Sequence, residues 1–184
     1  GQLCTQGEPT LPRFLKEQGF TTVSCGKIYH QPLDDTSSWD ELHHHAFGPD
    51  GPGKLHVEMH DYQLPENQQK TIEKNKIGFP AFRDLWEPLP PLSECADAPD
   101  ENYVDARIAS RAIDVLQRHA GSGKPLFLAC GFLRPHLPWN APKWAWDLYE
   151  RDQIDLADNP FFPEDAVGKS DLCDFMHYGD QEVQ

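Results

Sequence analysis

Two short runs, more than a hundred residues apart, carry the side chains best suited to chemistry. The first is Gly26-Lys27-Ile28-Tyr29-His30, and the second runs from Gly131 through Arg134, Pro135 and His136 to Trp139. Each follows an apolar stretch that reads as a buried strand, so each sets basic groups just past a strand's C-terminal end. In open α/β sheets that is where ligands bind. Lys27 is a compact point charge suited to a tetrahedral oxyanion, and His30, three residues on, can donate a hydrogen bond or a proton to the same group. His136 lies between Pro135 and Pro138, which stiffen the backbone around it; a histidine so held suits a general acid at a leaving-group oxygen. Arg134 adds a second anion contact, and Trp139 can line a sugar-binding cleft. Residue types alone also fit a loop lysine, a surface histidine and a proline-rich turn.

Other clusters read more simply. His43-His44-His45 and His56-Val57-Glu58-Met59-His60 invite a metal, but the second lacks the H-E-x-x-H order and neither has a helical face behind it. Both read as solvated loop histidines, and Asp34-Asp35 as an acidic loop. Trp144 and Trp146 read as core packing.

Composition limits the partners. The 184 residues allow one domain with a core. A formal net charge of -14 disfavours nucleic acid and anionic membrane, and no run reaches the roughly 18 apolar residues of a span. A local basic cluster has to overcome this overall field if the ligand is an anion. The chain begins at Gly1 and reads as a segment of something longer. Its five cysteines (Cys4, Cys25, Cys95, Cys130, Cys173) include no C-x-x-C, which disfavours zinc ribbons and thioredoxin-like chemistry. Cys25 and Cys130 are expected to act as small core residues.

The elements that must position the motifs follow from pattern. Residues 10–18 predict a short helix with Thr10 as N-cap, Gly19 past its end, and an apolar face of Leu11, Phe14 and Leu15. Phe20–Cys25 predicts a buried strand closed by Gly26. Residues 31–99 lack periodicity and predict a long loop or insertion, with at most short strands such as Leu55–Met59. Residues 101–119 predict a helix capped by Asp97 or Asp100, with Val104, Ile108, Ala112, Val115 and Leu116 inward. Gly121 and Gly123 end it, and Pro125–Cys130 predicts a second buried strand. A further helix is expected from about Pro142 to Tyr149, and 151–184 is acidic and irregular. Helix, glycine turn and apolar strand, repeated, give an α/β layered sheet.

Two blocks resemble a known family. Leu11–His30 (LPRFLKEQGFTTVSCGKIYH) is similar to the segment after the nucleophile region of type I sulfatases, in the iduronate-2-sulfatase-like branch, whose lysine and histidine share the i, i+3 spacing of Lys27 and His30. Lys124–Lys143 (KPLFLACGFLRPHLPWNAPK) resembles the same family's strand and histidine loop, and Trp146-Asp147-Leu148-Tyr149 continues the likeness. Ser38-Trp39 is compatible with it. The resemblance is dense over about fifty residues and sparse elsewhere.

The resemblance implies an alkaline-phosphatase-like α/β domain, a central sheet flanked by helices, of which residues 1–184 are a part. It implies hydrolysis of sulfate esters, on sulfated carbohydrate, by a cysteine-derived formylglycine in a C-x-P-S-R motif, with a calcium ion held by aspartates and a later Asp plus Asn or His. It implies that Lys27 and His30 hold the nucleophile and the sulfate, and that His136 contacts the sulfate and assists departure of the alcohol; Arg134 and Trp139 are substrate-binding candidates on their own chemistry. It also implies an extracytoplasmic setting: periplasmic, secreted or lysosomal. This chain has no C-x-P-S-R, since Cys4 is followed by Thr5-Gln6-Gly7. Nucleophile and metal ligands are expected outside residues 1–184, and the segment alone is expected to be inactive. A phosphoesterase or phosphonate hydrolase of the same fold, and a non-catalytic carbohydrate-binding relative, are the alternatives.

Overall fold

The computed structural model describes residues 8–29, 35–43, 61–77, 91–155 and 158. These form two units, residues 1–59 with 103–134 and residues 60–102 with 135–184. His30, Asp34, His44, His45, the 56–60 histidines and Leu55–Met59 lie outside the described residues.

In the first unit a short helix, α1 (Leu11–Glu17), leads through Gly19 at φ 88° into strand β1 (Thr21–Gly26). β1 is the middle of three parallel strands, flanked by β2 (Glu41–His43) and β4 (Leu126–Gly131). Helix α3 (Val104–His119) packs on one face. Its Val104, Ile108, Ala112 and Val115 meet Val23 and Cys25, with Leu126 and Leu128 alongside. Each large aliphatic side chain so buried is worth about 1.5–3 kcal/mol, which makes this layer the main apolar support of the unit.

The opposite face is polar at its centre. Thr22 Oγ1 donates to the Ser38 carbonyl at 2.8 Å, and the Thr22 amide donates to Asp40 Oδ2 at 2.9 Å. Trp39 stacks on Phe127 with ring centroids 6.0 Å apart. The Thr22 amide, more than the Lys16 ammonium 3.1 Å away, holds the Asp40 carboxyl below its ordinary range. On the helix side Arg118 of α3 forms a two-pronged contact with Glu41 of β2, at 3.2 and 3.0 Å. That contact, helped by His43, holds the Glu41 carboxyl low.

Several expectations are corrected. Thr10 stands at the N-cap of α1 but does not cap it; its hydroxyl donates to Asp35 Oδ2 at 2.7 Å. Leu11 and Phe14 are exposed. Neither Asp97 nor Asp100 caps α3: the helix begins at Val104 after a 3-10 turn (Asp100–Asn102), and Asp100 accepts from Trp144 Nε1 at 2.6 Å. Leu116 is 54% exposed. β4 is half-buried, because among the described residues it pairs on one side only, and Cys130 is exposed.

The second unit departs most from expectation. The segment read as loop contains helix α2 (Pro65–Ile77) and strand β3 (Ser93–Ala96). β3 pairs in parallel with β5 (Trp139–Pro142), which is followed by the single-turn helix α4 (Lys143–Trp146). Trp144 is exposed. A buried Glu94 carboxylate on β3 organises the start of α2. It accepts from Asn67 Nδ2 at 2.6 Å, from the Leu64 amide at 3.3 Å and from the Gln63 amide. Amides with no intrahelical partner at a helix start need such an acceptor.

Asp40 gives a pH test. Its carboxyl is held low in the folded chain, so its stabilisation is full above the ordinary aspartate range and is lost as pH falls below about 4. Asp40→Asn should lower the thermal midpoint at pH 7, and the gap to wild type should narrow toward pH 2–3. A gap independent of pH would contradict this assignment.

Candidate functional site

Lys27 is placed by backbone, and the placement follows from two glycines. β1 and β4 run in register to their ends, Cys25 opposite Cys130 and Gly26 opposite Gly131. The Lys27 amide donates to the Gly131 carbonyl at 2.8 Å. A Cβ on Gly26 would collide with the Gly131 carbonyl oxygen and lie 2.8 Å from Ile108 Cδ1; a Cβ on Gly131 would collide with the Lys27 carbonyl. Gly26 also has φ 83°, in the region that only glycine occupies cheaply. The glycines therefore let the two strand ends touch, and Lys27 leaves the sheet at its C-terminal edge.

The loop after β4 is held from the other side. Asp105, in the first turn of α3, accepts from the Leu133 amide at 2.7 Å and from the Arg134 amide at 3.0 Å. The Leu133 side chain is buried in the α3 layer. One carboxylate thus fixes the backbone that carries Arg134. Sequence reading missed Asp105. An acidic residue in a helix's first turn looks like ordinary compensation of the helix dipole; its true acceptor role depends on a loop 28 residues away.

His136 and Trp139 belong to the second unit. His136 is exposed, and its Nδ1 lies 2.7 Å from the Leu137 carbonyl oxygen. A carbonyl only accepts, so Nδ1 is the donor in this contact. Leu137 is buried with Leu92, the Leu137–Pro138 peptide is cis, and Pro138 is fully buried. Trp139 Nε1 donates to the Pro135 carbonyl at 3.0 Å, closing a compact turn around His136, and the Trp139 amide donates to the Leu92 carbonyl at 2.7 Å. Trp139 is half-buried against Leu92 and Leu137.

The remaining candidates are structural where described. Asp35 accepts from Thr10, Ser37 and Ser38 and closes a turn. His43 contacts Glu41 at 3.2 Å. Among the described residues no three His, Cys, Asp or Glu side chains are grouped as a metal ion needs.

Two substitutions test this framework. Gly131→Ala should cost about 1–3 kcal/mol in urea unfolding, as expected for forced overpacking; an unchanged midpoint would contradict the close approach. Asp105→Ala leaves the Leu133 and Arg134 amides without their acceptor. It should cost about 1–3 kcal/mol and speed hydrogen exchange at those two amides above the global change, whereas equal exchange throughout the chain would argue against the clamp.

Comparison with known proteins places the chain. The sulfatase family profile matches residues 3–184. Mouse iduronate 2-sulfatase is 29% identical over 155 residues, covering 84% of this chain and 25% of the relative; the human protein of the same name is 28% identical over 155 residues, covering 84% and 26%. An arylsulfatase of Clostridium perfringens is 26% identical over 157 residues, covering 80% and 31%. The chain therefore spans between a quarter and a third of the length of these relatives. Its mixed α/β architecture, with three parallel strands and basic residues beyond their C-terminal ends, agrees with the profile, and the chain belongs to the sulfatase family.

Proposed function

We propose that this chain forms part of the catalytic domain of a sulfuric ester hydrolase acting on sulfated carbohydrate, in an extracytoplasmic setting. The observation that carries the reading is the position of Lys27. It emerges at the C-terminal end of β1, against the end of β4, in a chain matched to the sulfatase family over residues 3–184. The iduronate 2-sulfatase names of two relatives favour a sulfated uronic acid within that class.

The family's formylglycine and calcium have no fitting residues in the described part of this chain. No three acidic, histidine or cysteine groups converge there, and no cysteine lies in the C-x-P-S-R pattern. This chain's own contribution is electrostatic and proton-handling. The Lys27 ammonium holds the sulfuryl group and offsets negative charge that builds toward the departing ester oxygen as the S–O bond breaks, and a fixed cation there stabilises the transition state more than the ground state. His30 adds a hydrogen-bond donor to the same group. His136, with Nδ1 committed to the Leu137 carbonyl, delivers a proton from Nε2 to the departing alcohol oxygen. Arg134 adds positive charge to substrate binding, and Trp139 offers a ring face to a sugar. Local positive groups are needed in a chain of net charge -14 if it takes an anionic substrate.

The test uses the native protein and two matched substrates, 4-nitrophenyl sulfate and 4-nitrophenyl phosphate. The reading expects sulfate release to dominate. Lys27→Ala should cut kcat by about 10²–10³-fold, the range for removing one donor to a developing oxyanion. His136→Ala should cost about 10²–10⁴-fold on sulfated disaccharides, whose departing alkoxide needs a proton, with a smaller loss on 4-nitrophenyl sulfate, whose phenolate leaves without one. Preferential phosphate release would favour the phosphoesterase alternative. Turnover of neither ester or of sulfated disaccharides, with retained sugar binding, would favour a non-catalytic relative.

A further inference from the structure

Cys25 and Cys130 are neighbours in a way their sequence positions hide. They are in-register partners on the adjacent parallel strands β1 and β4. Paired residues of parallel strands point to the same side of a sheet, and here that side faces α3, where Cys25 packs with Val23 and Ile108. Neighbouring strands lie about 4.8 Å apart, inside the range of about 4.4–6.8 Å between Cα atoms that a disulfide spans. The two differ sharply in access: Cys25 is 0% exposed, whereas Cys130 is exposed. Both are free thiols in this structure.

We propose that Cys25 and Cys130 form a cross-strand disulfide, a covalent staple across the C-terminal end of the β1–β4 pair, one residue before the glycine contact that positions Lys27. This goes beyond the hydrolase reading and does not depend on it. The oxidant is a disulfide acceptor, such as oxidised glutathione or the active-site disulfide of an oxidoreductase. The exposed Cys130 thiolate attacks one acceptor sulfur, forming a mixed disulfide and releasing one acceptor thiolate. The Cys25 thiolate then attacks the Cys130 sulfur, closing the staple and releasing the second. The acceptor gains two electrons, and the two cysteine protons pass through water to the released thiolates.

The order of events follows from access and ionisation. Burial, then the neighbouring Cys130, pushes the Cys25 thiol up to about 11, so it is a poor first nucleophile. Burial also pushes Cys130 up. The staple therefore closes slowly and, once closed, has an inner sulfur shielded from reductant. Cys95, also exposed, lies in the second unit on β3, and competes for oxidant without being a strand partner of either thiol.

The experiment is peptide mapping of the native protein, held in a glutathione redox buffer at its oxidised end, with thiols then blocked by iodoacetamide. Trypsin places Cys25 in the peptide 17–27 and Cys130 in the peptide 119–143, because the bonds before Pro125 and Pro135 resist cleavage. Cys95 falls in a third peptide, 84–107. The expected result is a linked 17–27/119–143 species, two hydrogens lighter than the sum of its parts, lost on reduction and absent in Cys130→Ser. That variant changes an exposed side chain, so it keeps the test valid if Cys25→Ser fails to fold. Recovery of both peptides as alkylated thiols would overturn the proposal. So would glutathione retained on Cys130 beside an alkylated Cys25, or Cys130 linked to any other cysteine.

Discussion

The first unit depends on backbone meeting backbone at one point. The ends of β1 and β4 converge at Gly26 and Gly131, closely enough that a methyl group on either would strike the other strand's chain or the residue after it. Nothing larger than hydrogen fits, and the Lys27 amide uses the gap to reach the Gly131 carbonyl. The strand register, the exit direction of Lys27 and the start of the loop toward Arg134 all follow from that contact. α3 serves it twice, once by burying Ile108 beneath Gly26 and once by presenting Asp105 to the Leu133 and Arg134 amides.

The two faces of the sheet hold this point by different means. The α3 face is apolar and gains from area, with Val23, Cys25, Ile108 and Val115 removed from water. The opposite face is threaded by Thr22, Ser38 and Asp40, where each hydrogen bond nets about 1 kcal/mol and specifies direction rather than adding much stability. Ser24 lies on this face, fully buried, with no hydrogen-bond partner for its hydroxyl among the described residues. An unmade buried hydrogen bond costs about 1–3 kcal/mol; nothing in the described part offsets it locally.

Legibility tracked the kind of signal. α1, β1, α3 and β4 were readable because period and punctuation agree: apolar residues at helical or strand spacing, then a glycine, at positive φ for α1, β1 and α3. α2 was not readable, because its described apolar side chain, Ile72, is exposed, and the start of the helix is organised by Glu94 from a strand 27 residues later. Local pattern cannot report a distant carboxylate. The same reason hid Asp105. Lys27 and His136 were singled out by their positions after apolar runs and by the family likeness of the two blocks; the structure places Lys27 directly after β1, and the roles of both belong to the proposed function. His30 lies outside the described residues, so its candidacy still rests on spacing and resemblance. The expectation that Cys130 is a core residue failed, because a strand's apolar composition does not say whether both of its edges and faces are covered.

The central claim is that the contact between the two strand ends sets Lys27 to hold a tetrahedral anion. The most direct measurement is a crystal structure of the native protein soaked in selenate, whose anomalous signal locates the anion without ambiguity. The account predicts selenate beyond the C-terminal ends of β1 and β4, with an oxygen about 2.7–3.2 Å from Lys27 Nζ. Selenate bound elsewhere, with Lys27 Nζ turned to solvent or to a carboxylate, would contradict it.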